Sequence, residues 1–257
     1  MDAIGTRPQP STPLRAPGES LDRALAHSFA GRPIPPYSVH QPTGHLNAPP
    51  KGVVMTIHGG GWYWTGEQML RTMDDHVRRW NQRGWITVNV DHRPGGDSLT
   101  DIRSFYDAIR SWAGPETRIG MAGKSAGGHL ALMLASERTD IEFVVAESAP
   151  TSLTTLTGTP EAMQIRDLAT KAFGAANLTT MSPASHASRI GARLLLSAAA
   201  QDPWVPASQM DAFAGAHPAN LKTMVLESGN RPFTHAPVSE HALRQLWEAE
   251  REVSTCR

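Results

Sequence analysis

The sequence predicts an α/β protein with a mostly parallel central sheet, flanking helices and a small cap insert. Three observations predict it. Short β-branched runs alternate with amphipathic stretches from about residue 53 onward, which is the pattern of repeated strand–helix–strand units. The chain of 257 residues is long enough for one such domain with a sizeable core. Glycine clusters close two of the runs, as a chain does where strands end in tight turns.

Residues 1–17 are rich in proline, threonine, arginine and serine, prolines recur at 33, 35 and 36, and 1–36 reads as a flexible Pro-rich arm, with 37–257 forming the domain. The first residues carry no apolar leader pattern, so the expectation is a soluble protein, cytoplasmic or secreted after leader removal. Residues 39–41 offer an edge strand. Val53, Val54, Met55, Thr56 and Ile57 form the first buried strand of the core. Met69, Met73, Val77 and Trp80 step at helical spacing, and Gly84 ends that helix. Residues 85–90 are the second core strand. Ile102, Phe105, Ile109 and Trp112 mark a helix that Gly114 and Pro115 stop. Strands follow at 118–122, 143–146, 194–198 and 223–226, and Val238, Ala242 and Leu246 mark a last helix. Residues 150–188 form an insert with a helical stretch at 161–172, placed where a cap over a site at the carboxyl ends of the strands would sit.

Composition excludes several functions. Basic and acidic residues number 24 each, so the excess of cations that nucleic acid or an anionic membrane would select is absent. Cys256 is the sole cysteine, which rules out an intrachain disulfide and a multi-thiolate metal centre. No apolar run reaches the ~20 residues of a membrane span. With no dinucleotide fingerprint and no metal-ligand spacing, no cofactor or metal is expected. The expected partner is a small-molecule or polymeric substrate. Nothing in the pattern sets an oligomeric state.

Gly123-Lys124-Ser125-Ala126-Gly127 fits G-x-S-x-G between a strand and an apolar helix. That spacing suits a sharp turn lifting a serine oxygen above a sheet, because side chains two residues either side would clash. The following helix adds the positive end of its dipole. His58-Gly59-Gly60-Gly61-Trp62 closes the first core strand, and its bare backbone N–H groups suit an oxyanion. A phosphate loop would need a following Lys-Ser/Thr, which is absent. Gly59, Gly60 and Ala126 are the expected oxyanion donors, and His58 reads as structural. A nucleophilic serine then needs an acid and a base in the order Ser, acid, His. Asp202 follows a strand in Ala-Gln-Asp-Pro-Trp and reads as the acid, with an ordinary Asx-turn as its alternative. Glu147 and Glu227 also end strands and stand as rival acids. His235 sits between the last strand and the last helix and is the expected base, whereas His129, His186, His217 and His241 fall on helices or in the cap. Trp62, Tyr63, Trp64 and Trp204 adjoin these loops. At least one of the tryptophans should serve packing, and Trp62 and Trp204 are the expected pocket walls.

Taken together, the HGGGW and GKSAGG motifs, the Asp202-Pro203 turn and the late histidine resemble hormone-sensitive-lipase-like esterases and kynurenine-formamidase-like hydrolases of the α/β-hydrolase superfamily. The resemblance covers about residues 50–250. It implies the α/β-hydrolase fold, an ester-cleaving serine hydrolase, and catalytic roles for Ser125, Asp202 and His235. Val88-Asn89-Val90-Asp91-His92-Arg93 is similar to those families' strand end, with His92 in place of the usual tyrosine. Lys124 stands where an acid or histidine is common, and it is expected to turn away and meet a carboxylate. An amide, formamide or peptide hydrolase needs the same groups. A binding protein that has lost activity is the alternative from another class, although it would not need the triad and the glycine loop together.

Overall fold

The computed structural model describes residues 20–43, 48–215, 221–226 and 240–255. Helix α1 (Leu21–Phe29) and edge strand β1 (Tyr37–His40) lead into the core strand β2 (Val53–Ile57). Helices α2 (Glu67–Arg71) and α3 (Asp74–Gln82) connect it to β3 (Ile86–Val90), and α4 (Asp97–Ala113) connects β3 to β4 (Ile119–Lys124). Helix α5 (Ala126–Ala135), β5 (Phe143–Glu147), α6 (Pro160–Phe173), β6 (Arg193–Ala199), α7 (Ser208–Ala214), β7 (Leu221–Leu226) and α8 (Glu240–Ser254) complete the chain.

The strands form one seven-stranded sheet in the order β1-β3-β2-β4-β5-β6-β7. Strand β1 is antiparallel to β3, and every other neighbour pair is parallel. Strands β2, β3 and β5 are buried throughout, as strands of a sheet covered on both faces are. One face packs against α1, α4, α5 and α7 through residues such as Phe29, Phe105, Leu130 and Phe213. The other packs against α3 and α8 through Trp80, Trp85, Phe143, Leu246 and Ala249.

This order places the site. The chain passes from β2 to β3 on one side, then crosses back to β4 on the other, so the direction of winding reverses between β2 and β4. A crevice opens at the carboxyl ends of strands at such a switch point. Ile57 pairs with Gly123 in the β2–β4 register, so the glycine loop and the serine turn emerge side by side.

Two expectations are corrected. Residues 1–36 are not all a flexible arm, because α1 is part of the core. Ser20 caps it by accepting from the Arg23 N–H, and its apolar face buries Leu21, Ala24, Leu25 and Phe29. Phe29 meets Phe105 edge-on at 5.0 Å, and Arg32 behind it donates to Ser104 at 2.6 Å. Residues 1–19 lie outside the described residues. The helix expected across 69–80 is two helices, broken at Thr72 and Met73. Elsewhere Thr159 caps α6, accepting from Ala162 N–H ahead of Pro160, and Gly174 ends it.

Candidate active site

Ser125 sits between the end of β4 and the start of α5 with φ 52° and ψ −122°. An L-residue adopts that left-handed conformation only where the surroundings impose it. The glycines impose it here. A Cβ on Gly123 would lie 2.4 Å from the Gly127 oxygen, and one on Gly127 would lie 2.2 Å from the Ile57 oxygen. The turn is held by the Ser125 N–H donating to the Glu147 oxygen at 2.7 Å and by the His129 N–H donating to the Ser125 oxygen at 3.0 Å. Ala126 opens α5, so its N–H belongs to the first turn, whose donors have no acceptor within the helix.

The glycine loop packs directly on this turn. A Cβ on Gly59 would meet Ser125 Cβ at 3.1 Å and the Lys124 oxygen at 3.2 Å. Gly60, Gly61 and Trp62 all have positive φ, at 103°, 55° and 65°. Tyr63 and Trp64 N–H both donate to the Gly60 oxygen at 3.0 Å, which closes the loop on itself. His58 is fully buried at its base, contacting the Gly59 oxygen through Nδ1 at 2.6 Å and Asp91 through Nε2 at 2.7 Å. Asp91 also accepts the His92 N–H and the Gly66 N–H, each at 2.7 Å. Burial pushes its carboxyl up, but these three hydrogen bonds outweigh it and hold the group below the usual carboxylate range.

A cavity of about 240 Å³ opens over Ser125, lined by Gly60, Gly61, Trp64, Ile165, Leu168 and Trp204 among others. Trp204 lines that cavity. Trp62 does not, because its left-handed backbone turns the indole into the core. There it packs edge-on against His129 and Phe173, and Nε1–H donates to His129 Nδ1 at 3.2 Å. Trp64, two residues on, takes the wall position. Gln164, Ile165 and Leu168 of the insert were not singled out from sequence; the periodicity showed a helix at 161–172 but not which face would meet the cavity. The insert bridges the two loops that flank Ser125. Leu168 abuts Gly61, and Thr159 Oγ1 donates to the Pro203 oxygen.

Asp202 is buried in the turn after β6, where Oδ1 accepts from the Trp204 N–H at 2.9 Å and the Val205 N–H at 3.0 Å. The Asx-turn weighed as an alternative is thus present, and it fixes the carboxylate beside the wall residue Trp204. His235, Glu227 and His217 lie outside the described residues; the segment that carries His235 joins β7 to α8. Glu147 pairs with Lys124 across β4 and β5, on the face covered by α3 and α8, and receives His76 Nε2 at 3.1 Å. Burial raises its carboxyl, but contact with His76 and the charges of Lys124 and Arg79 bring it down to about 2. Lys124 thus faces a carboxylate from the paired position, on the side of the sheet away from α5. His129 is a core residue. Its Nδ1 accepts from Trp62, so Nε2 carries the proton and donates to the Met181 oxygen at 2.7 Å.

The BD-FAE family model matches residues 39–216, more than half of the chain. The chain belongs to the BD-FAE family. Among solved structures, this BD-FAE protein is similar to Esterase B from Lactobacillus rhamnosis, at 16% identity and a TM-score of 0.62, over 89% of each chain. It is similar to a truncated carbohydrate esterase from gut microbiota at 14% identity and a TM-score of 0.66, covering 85% of this chain and 91% of that one. A puromycin hydrolase matches at 19% identity and a TM-score of 0.66, but this chain spans only 36% of its length. No curated protein matches the sequence. The fold is the α/β-hydrolase fold, as the paired glycine motifs implied.

Proposed function

We propose that the protein is a serine hydrolase that cleaves carboxylic esters through an acyl-enzyme on Ser125. The observation that carries this reading is the strained Ser125 turn, packed against a glycine loop and opening into an apolar cavity. His235 takes the Ser125 proton as Oγ attacks the ester carbonyl, and Asp202 holds the imidazole in the tautomer that accepts it. The Gly59, Gly60 and Ala126 N–H groups receive the developing oxyanion. His235 then gives its proton to the leaving alcohol, and water, deprotonated by the same imidazole, releases the acid. Trp64, Trp204, Ile165 and Leu168 offer the substrate an apolar wall. The esterases of the same fold support the choice of ester, while the puromycin hydrolase favours trying an amide beside it.

The test is a panel of p-nitrophenyl esters beside N-formyl and peptide substrates, run on the parent and on Ser125→Ala. Turnover of esters should dominate and fall by up to roughly 10⁶ in the variant, the loss seen for a triad serine in a studied protease. Ester turnover within tenfold of the parent in clean Ser125→Ala protein would reject the nucleophile.

A further inference from the structure

The proposed oxyanion loop stands on a buried pair whose protonation can be read from hydrogen-bond roles. The Gly59 carbonyl has no proton to give, so His58 Nδ1 must donate across their 2.6 Å contact. Asp91 accepts two backbone N–H groups, one at each oxygen, as an ionised carboxylate does. His58 Nε2 must then donate to Asp91 across 2.7 Å. That geometry calls for a donor at both ring nitrogens. His92, stacked on the His58 ring at 4.8 Å, is held neutral: burial, and then the His58 charge, push it down to about 4.

We propose that His58 and Asp91 form a fixed imidazolium–carboxylate pair that polarises the Gly59–Gly60 peptide, strengthening the Gly60 N–H as an oxyanion donor. The described peptides are trans, so the Gly60 N–H points opposite to the Gly59 C=O that the imidazolium holds. Charge drawn toward the carbonyl oxygen leaves the N–H more positive, and chained hydrogen bonds reinforce one another in this way. Among the described residues no group accepts from the Gly60 N–H, which leaves it free for a ligand. Asp91 has a second effect. Through His58 before the loop and Gly66 after it, one carboxylate fastens both ends of residues 58–66. Asp91 and His58 are positioning residues; neither lines the cavity over Ser125.

This inference rests on the oxyanion role proposed for Gly60, and two measurements keep the readings apart. Nitrogen-15 NMR of the parent enzyme at neutral pH should show a histidine with both ring nitrogens protonated, lost in His58→Gln. A singly protonated His58 overturns the proposal whatever the activity. With a neutral p-nitrophenyl ester, Asp91→Asn should lower kcat about tenfold with KM changed less than about threefold, a fraction of the 10²–10³ of losing an oxyanion donor. Asp91→Glu should recover part of that kcat. A fall in Asp91→Asn that appears only in KM, or an unchanged kcat, overturns the relay while Ser125→Ala still tests the nucleophile by itself. If Asp91→Asn does not fold, the NMR result on the parent decides.

Discussion

Asp202 and Glu147 look alike in sequence, since each closes a strand, and the residues around them differ. Glu147 is enclosed with His76, and Arg79 beside it reaches Glu250 at 3.0 Å, all on the face under α3 and α8. Asp202 sits beside a wall of the cavity. Asp202→Asn should therefore reduce kcat by about 10⁴ with little change in stability, the effect of losing the tautomer-fixing acid in a protease triad. Glu147→Gln should do the opposite, keeping most turnover while destabilising the fold by up to about 3–5 kcal/mol, the range for breaking a buried charge pair. Kinetics and urea denaturation on both variants check the assignment, and a reversed pattern would move the acid to Glu147. The turn at Ser125 was legible because glycine is demanded two residues either side, where an added Cβ would lie 2.2–2.4 Å from backbone oxygens. Asp91 was not legible as the partner of His58. The two lie 33 residues apart and meet only because β2 and β3 pair. Trp62 and Trp64 could not be told apart either, because three consecutive positive φ values leave the loop without a period to read.

At the scale of elements, α6 is a part of the cavity wall that carries no residue of the proposed triad or oxyanion hole. Leu168→Ala should raise kcat/KM for bulkier acyl groups relative to acetyl by about 10-fold or more, since one or more methylenes in an apolar pocket shift discrimination by about 1–3 kcal/mol. Matched acetyl, butyryl and benzoyl esters of one alcohol would show it, and a uniform loss across all three would mean that the helix is not a specificity wall. Helix α1 teaches a different lesson. Its apolar spacing at Leu21, Ala24, Leu25 and Phe29 is helical, but the prolines around it dominate the composition and favour an arm. What recruits the helix is tertiary: the Phe29–Phe105 contact and the Arg32 bonds to Asp101 and Ser104 come from α4. Phe29→Ala should thus destabilise the protein by about 3–5 kcal/mol, measured by denaturation. A loss below about 1 kcal/mol would return that segment to the status of an arm.

For the whole molecule, the parallel sheet followed from alternating runs and helices, whereas strand order did not, because the return across β2 leaves no mark in local sequence. Acid stability also belongs to this scale. Burial holds His129 and His92 down to about 4, against about 6.5 when unfolded. Between those values the unfolded chain binds protons that the folded one refuses, so stability is full above about pH 6.5 and falls as pH drops toward 4. Each histidine adds a slope of up to about 1.4 kcal/mol per pH unit, and Glu147 extends the loss from about 4.5 down to about 2. Denaturation midpoints should fall from pH 7 to pH 5. Equal midpoints would show that these rings titrate alike in both states.

The backbone contact of Gly127 with the ends of β2 carries a consequence for how the protein comes alive. Ser125 holds its unfavourable torsion only while Gly127 lies against the Ile57 and His58 oxygens, and those arrive only when β2 has docked beside β4. The proposed nucleophile's geometry is therefore not a property of its own pentapeptide; it exists only in a chain whose central strands have found their register. During refolding, regained turnover would clock that docking event, lagging behind any signal that reports helices alone.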